Sequence, residues 1–257
     1  MSEQFSLHRV GLLLRNDALN RYRTVLIVSL LIALIMLIGA MGVAYGGGGE
    51  AGAYTGQFLG TLFLWGTLAA SVSFGDLHSK SRNTEFLLLP ASALEKTFAR
   101  LVYHSVGLVA YLLVLTTVVS FIAEGINLLL LGRRNGVFQS FDSVIWRLLP
   151  HFLVVQSLFF VGAAWFRRAQ WLKTTLSIAI LLCGFFAVFI ALAWAVGLAR
   201  WSGAALDFDG DFYSAVYRPL RWLFDTVFWA VYFVALPVFC WFVVWLRVKE
   251  TQVSHGV

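Results

Sequence analysis

The stretch TVLIVSLLIALIMLIGAMGVAY, residues 24–45, contains no Asp, Glu, Lys or Arg. A helix of about twenty apolar residues crosses the roughly 30 Å hydrocarbon layer of a membrane. Five further stretches of similar length also lack these charged residues: 51–75, 101–123, 148–166, 174–199 and 226–246. The pattern predicts an all-α membrane protein with six transmembrane helices.

The composition agrees with a chain that lies mostly inside a membrane. Hydrophobic residues make up 60% of the 257 residues and charged residues 12%, whereas soluble domains carry about 25% charged residues. The net charge of +6 would suggest nucleic acid as a partner in a soluble protein. Here the basic residues lie in particular loops, so we interpret them as topology signals and expect no nucleic-acid partner.

Basic residues divide unequally between the two sides of the six spans. With the N-terminus inside, all four lysines and nine arginines are cytosolic, while six arginines are outside. Basic loops are retained in the cytosol, so the count predicts that both termini are cytosolic. The inner residues are Arg9, Arg15, Arg21, Arg23, Lys80, Arg82, Lys96, Arg100, Arg167, Arg168, Lys173, Arg247 and Lys249, and the outer ones are Arg133, Arg134, Arg147, Arg200, Arg218 and Arg221.

Three parts are expected along the chain: a surface helix at 1–23, the six-span domain at 24–246 and a cytosolic tail at 247–257. Arg9, Asn16, Asn20 and Arg23 share one arc of the first helix, which is typical of an amphipathic helix on the cytosolic membrane surface. The alternative is a simple positive anchor. The apolar stretch that follows is longer than that of a cleavable signal, so we expect the segment to be retained.

The inner segment 76–98 carries the most specific local pattern, DLHSKSRNTEFLLLPASALEK over residues 76–96. Pro90 ends any helix before it, and Ser92 with Glu95 has the spacing of a capping box, so a new helix should begin near Ala93. Upstream, a short helix with polar residues on one side and leucines at its end would lie along the cytosolic surface as a docking element. The alternative is an ordinary loop of mixed charge.

The outer loop 200–225 combines three aspartates with several aromatic residues. Asp207, Asp209 and Asp211 lack the rest of an EF-hand pattern, so the loop is better interpreted as a re-entrant or surface helix held by its aromatics. Elsewhere, Leu128 to Leu131 should extend the third helix up to a turn at Gly132, and Pro150 should lie near the start of the fourth.

Glycines recur every four residues at the start of the second span, as Gly52, Gly56 and Gly60. Such a ridge allows another helix to approach closely. We expect it to serve helix packing within the chain or across a dimer. The two cysteines, Cys183 and Cys240, lie inside spans and are expected to be packing residues.

The sequence lacks the common motifs of nucleotide-binding, catalytic and metal-binding sites. It contains no P-loop, nucleophile elbow, His-Glu-x-x-His pair or Cys/His metal spacing, so we expect no catalytic, cofactor or metal site in this chain. Within the spans as drawn, the ionisable residues that could couple ion movement are His104 and His151. An intramembrane enzyme would have to use these and Glu124, and is disfavoured.

The order of these parts, together with the stretch Arg82 to Lys96, resembles the membrane subunit of ABC type-2 exporters, the permeases of ATP-binding cassette transporters. The resemblance implies that the segment between spans two and three is a coupling helix that fits a separate ATPase subunit. Its contacting residues would be Lys80, Arg82, Asn83, Glu85 and Glu95, and on the N-terminal helix Arg9, Arg15 and Arg23.

The resemblance also implies ATP and Mg²⁺ on the ATPase, none in this chain, and a second permease copy or related chain. It places the protein in a bacterial inner membrane, where lipid surrounds it. The chain is then a transport subunit and not itself an enzyme. The alternative is a membrane anchor or assembly factor that binds a partner complex without transporting anything.

Overall fold

The computed structural model describes residues 5–46, 52–78, 91–132, 136–201, 221 and 226–254. Throughout these ranges the regular structure is helical, with no strand. Six helices are long and apolar enough to cross a membrane, which confirms the number predicted from the sequence.

We number the six helices in chain order. α1 is Leu7–Tyr45, α2 is Gly52–Val72 followed by a 3₁₀ turn at Gly75–His78, α4 is Ser143–Trp165 and α5 is Gln170–Trp201. α3 consists of Ala93–Val102, a π-helical turn at Tyr103–Gly107, and Leu108–Leu131. α6 begins at Thr226, contains a π-helical turn at Val231–Ala235 and ends with Leu236–Ser254.

The start of α1 differs from the separate surface helix that was expected at 1–23. Residues 7–45 form one helix of 39 residues, about 58 Å long, which is longer than the hydrocarbon layer. Its first turns pack beside the start of α3, where Phe5 meets Phe98 with ring centroids 5.8 Å apart. The helix therefore does not end at residue 23, and the placement of residues 7–23 on the membrane surface stays a prediction.

Two helix ends follow local sequence signals. α3 ends at Gly132, whose φ of 62° is the left-handed conformation that glycine adopts readily, as the sequence predicted. α4 begins at Ser143, with the Asp142 side chain accepting from Val144 N–H. Pro150 therefore lies inside α4 and not at its start, which corrects the prediction.

Two apolar clusters hold the bundle together. One joins α1, α2, α3 and α4 around Met36, Phe58, Leu112 and Phe152, and the other joins α2, α3, α4 and α6 around Phe160. Each helix runs opposite to the next, so one end of the bundle collects the starts of α1, α3 and α5 and the ends of α2, α4 and α6. We call this the N-terminal end of the bundle.

Among the described residues, helix α5 packs against the bundle through its first turns. Trp171 and Ile178 contact the core, and the Trp171 indole donates to Thr67 Oγ1 at 3.2 Å. From Ala179 to Leu192 every residue is exposed. The helix therefore leaves the other five after about three turns.

Candidate functional site

The predicted coupling segment lies mostly outside the described residues. Lys80, Arg82, Asn83 and Glu85 fall within 79–90, so their predicted contacts with an ATPase stay predictions. The chain on both sides of this range is described, with His78 before it and Ala91 after it. Each of these flanks is anchored by polar contacts at the N-terminal end of the bundle.

Downstream of the segment, Glu95 ties α3 to the start of α1. The capping box is confirmed: Glu95 N–H donates to Ser92 Oγ at 3.2 Å, and Ser92 N–H donates to Glu95 Oε2 at 2.8 Å. The other carboxylate oxygen accepts from Ser6 N–H at 2.7 Å and lies 3.6 Å from Arg9 Nε. A single carboxylate therefore caps one helix and fixes the beginning of another.

These contacts give Glu95 a structural role inside the chain, and its predicted contact with an ATPase stays a prediction. Its side chain is 0% exposed, so in this conformation it presents no surface to another protein. Arg9 lies beside this buried carboxylate while its side chain remains 42% exposed, so its predicted contact with an ATPase also stays a prediction. Arg15 and Arg23 are exposed on α1, and their predicted contacts with an ATPase stay predictions.

Upstream of the segment, Asp76 ties the end of α2 to α1 and α3. Arg100 Nη2 donates to Asp76 Oδ2 at 2.6 Å, and Arg21 Nη2 donates to the same oxygen at 3.3 Å. Arg100 Nη1 also donates to the Ser73 carbonyl at 2.6 Å. One guanidinium thus holds both a carboxylate and a backbone carbonyl at the end of α2.

The ion pair of Arg100 with Asp76 is buried, so breaking it costs free energy. The Arg100 side chain is 5% exposed and that of Asp76 is 15% exposed. Removing one partner of a buried ion pair leaves the other charge desolvated, which typically costs about 3–5 kcal/mol. Asp17 of α1 lies within electrostatic reach of Arg100 and Arg21 and adds a second carboxylate. The three helices are therefore held in one relative position at this end.

Sequence reasoning treated Arg21 and Arg100 only as topology signals. The available signal was the position of Asp76 and Arg100, each beside an apolar stretch, where a charge needs a partner to remain near hydrocarbon. The pairing itself could not be read from the sequence, because Arg21 and Asp76 are 55 residues apart.

A second buried polar cluster lies at the opposite end of the bundle. The Tyr54 hydroxyl of α2 donates to Glu124 Oε1 of α3 at 2.6 Å, and Asn127 Nδ2 lies 3.5 Å from the same oxygen. Thr55 Oγ1 donates to Asp142 Oδ2 at 3.0 Å, which joins α2 to the cap of α4. Glu124 is thus inside the bundle and only 4% exposed, beyond the apolar stretch that ended at residue 123.

The two histidines predicted to lie within the spans, His104 and His151, are each associated with a π-helical turn. His104 is buried within the first turn, and its backbone carbonyl accepts from Gln156 Nε2 at 2.6 Å. A π-helical turn disrupts the regular backbone pairing, and the Gln156 amide hydrogen-bonds the carbonyl at that point. His151 Nδ1 lies 3.3 Å from the Tyr232 hydroxyl in the second turn. These contacts join α3 to α4 and α4 to α6.

The predicted glycine ridge packs against none of the described residues. Gly52, Gly56 and Gly60 are exposed, and a Cβ built on any of them would meet nothing within 4 Å. Close helix approaches occur instead at other glycines: a Cβ on Gly66 would lie 2.5 Å from the Phe152 ring, and one on Gly162 would overlap Thr174. Within the part of the chain that the structure describes, the ridge thus makes no close approach, and its packing between copies stays a prediction.

The described residues bring together no group of three His, Cys, Asp or Glu side chains that could bind a metal ion. No family model, curated protein or solved structure matches the chain. The outer loop 200–225, expected to form a re-entrant or surface helix, lies outside the described residues apart from 200, 201 and 221.

Proposed function

We propose that the chain is the membrane-spanning permease subunit of an ATP-binding cassette transporter. It moves a substrate across the cytoplasmic membrane with energy from ATP hydrolysed on a separate subunit. The N-terminal end of the bundle faces the cytosol, and segment 79–90 receives the ATPase. Two copies, or this chain and a related one, complete the pathway.

The observation that carries the proposal is the double anchoring of the segment. Asp76 precedes it and Glu95 follows it, and both carboxylates are bound by groups of α1. A force applied between these two points would act on α1, α2 and α3 together, because Arg100 also holds α2 against α3. Conversion of ATPase movement into helix rearrangement requires such a connection.

The charge distribution supports the same orientation. Arg15 and Arg23 are exposed on the part of α1 that extends beyond its apolar stretch, where a soluble subunit could reach them. Lys80, Arg82 and Glu85 provide further charges in the segment itself. Electrostatic complementarity of this kind directs a partner to one surface.

Copurification in mild detergent tests the proposal. We expect an ATPase to be recovered with the tagged full-length protein, and we expect its attachment to be lost when Arg82→Glu and Glu85→Arg are combined. Arg133→Glu with Arg134→Glu is the control, because it reverses two charges on the predicted outer side. Failure to recover an ATPase, or attachment that survives the paired reversal, would contradict the proposal.

Transport by the reconstituted complex separates the permease from the alternative of a membrane anchor. Vesicles containing the chain and its ATPase should accumulate or release a substrate only when ATP is hydrolysed. An ATPase that binds the chain but never drives movement of any substrate would favour the anchor.

A further inference from the structure

A group of basic side chains lies at the N-terminal end of the bundle, around the ends of α4 and α6 and the start of α5. Four are exposed and Arg247 is partly buried, and the acidic residue described beside them is Glu250, 2.5 Å from Arg247. We call this group the basic patch. Its members are Arg167, Arg168, Lys173, Arg247 and Lys249.

Aromatic rings fix the depth of three of these cations. The guanidinium carbon of Arg247 lies 5.3 Å from the centre of the Trp165 ring, and the Lys249 ammonium lies 5.5 Å from that of Trp245. Lys173 lies 5.8 Å from the Phe166 ring in the same way. Tryptophan rings near the ends of transmembrane helices lie at the level of the lipid headgroups. The cations paired with them are therefore placed at the depth of lipid phosphates.

The turn between α4 and α5 keeps the remaining cations at the same level. α4 ends at Trp165 and α5 begins at Gln170, whose side-chain Nε2 donates back to the Ala163 carbonyl at 3.2 Å. His78 Nε2 lies 3.1 Å from that carbonyl. Arg167 and Arg168 are thus confined to a short turn at the membrane boundary and do not extend into a long aqueous loop.

An apolar surface for acyl chains begins directly beside the patch. Leu172, Leu176 and Ile180 of α5 are each more than half exposed, and they lie along the helix that carries Lys173. A lipid whose phosphate meets Lys173 can place its chains against these residues. A soluble acidic protein would match the cations but not the apolar residues that follow them.

From these observations we propose that the basic patch binds the phosphate groups of anionic phospholipids, such as phosphatidylglycerol, in the leaflet at the N-terminal end of the bundle. Each Lys or Arg close to an anionic membrane surface adds about 1 kcal/mol of attraction. The patch would then prefer anionic over zwitterionic lipid. This inference depends on the bundle crossing a membrane and not on the presence of an ATPase.

Native mass spectrometry of the detergent-purified full-length protein tests the proposal. The protein is titrated separately with phosphatidylglycerol and with phosphatidylcholine of the same chain length. We expect the wild type to bind phosphatidylglycerol at least about tenfold more tightly, and we expect the combination Arg167→Gln, Arg168→Gln and Lys173→Gln to remove most of that preference, since it deletes three of the five cations. The charge-matched control Arg133→Gln, Arg134→Gln and Arg147→Gln should keep it.

Three outcomes would overturn the proposal: equal binding of both lipids by the wild type, an unchanged preference in the patch variant, or an equal loss in the control. Displacement of phosphatidylglycerol by millimolar inorganic phosphate would also contradict it, since the site would then recognise free phosphate. If the triple variant does not fold, the single change Arg168→Gln serves instead. It should lower the affinity for phosphatidylglycerol several-fold without affecting phosphatidylcholine.

Discussion

Arg100 and Asp76 join the start of α3 to the end of α2 through an ion pair of 2.6 Å that is almost entirely buried. The two residues flank the segment on which the proposed ATPase would act. Because the same guanidinium also binds the Ser73 carbonyl, α2 cannot move away from α3 without breaking two hydrogen bonds. Movement at this end therefore requires either that α2 and α3 move together or that this contact opens.

A double-mutant cycle on this pair should show strong coupling. We expect Arg100→Gln alone, and Asp76→Asn alone, to lower the free energy of unfolding by about 3–5 kcal/mol, because each leaves a desolvated charge behind. The two changes together should cost clearly less than the sum of the single effects. Denaturation in mild detergent measures all four proteins. Strictly additive effects would show that the pair is not coupled.

Loss of the Glu95 carboxylate should loosen the start of α1. Glu95→Ala removes the acceptor of the Ser92 and Ser6 N–H groups, so we expect a loss of about 2–3 kcal/mol. Hydrogen exchange of residues 6–10 should rise at the same time, since Ser6 is held by this carboxylate. Glu250→Ala is the control, because its ion pair with Arg247 is exposed and contributes little. Unchanged exchange at the start of α1 would contradict this role.

Local features of the sequence determine the helices, whereas contacts between distant residues determine how the helices are joined. The six helices and the start of α3 at Ala93 were predicted because apolar length and a capping box are local features. The contacts of Phe5, Ser6 and Arg9 with α3 were missed because they join residues about 90 positions apart. The ion pair of Arg21 with Asp76 and the hydrogen bond from Tyr54 to Glu124 join residues 55 and 70 positions apart. Such pairs depend on how the helices pack, which a single sequence does not reveal.

The hydroxyl of Tyr54 should contribute measurably to stability. It is buried and donates to the Glu124 carboxylate, so Tyr54→Phe removes a hydrogen bond to a buried acidic group while preserving the ring. We expect a loss of about 1.5–3 kcal/mol. Tyr45→Phe is a matched control, because Tyr45 is 82% exposed and the same atom is deleted. Equal effects of the two changes in thermal unfolding would disprove the contribution of this bond.

Substitution of two glycines on α2 should separate packing inside the chain from packing between copies. Gly66→Leu places a side chain where the Phe152 ring already lies, so we expect it to destabilise the monomer strongly. Gly56→Leu meets open space, so the fold should be retained with an unchanged unfolding temperature. If a second copy packs on Gly52, Gly56 and Gly60, however, the larger side chain prevents the close approach that this ridge allows. Light scattering in detergent should then show a dimer for the wild type and a monomer for Gly56→Leu. A dimer that survives Gly56→Leu would place its interface on another helix, and a destabilised Gly56→Leu monomer would contradict the exposure of this face.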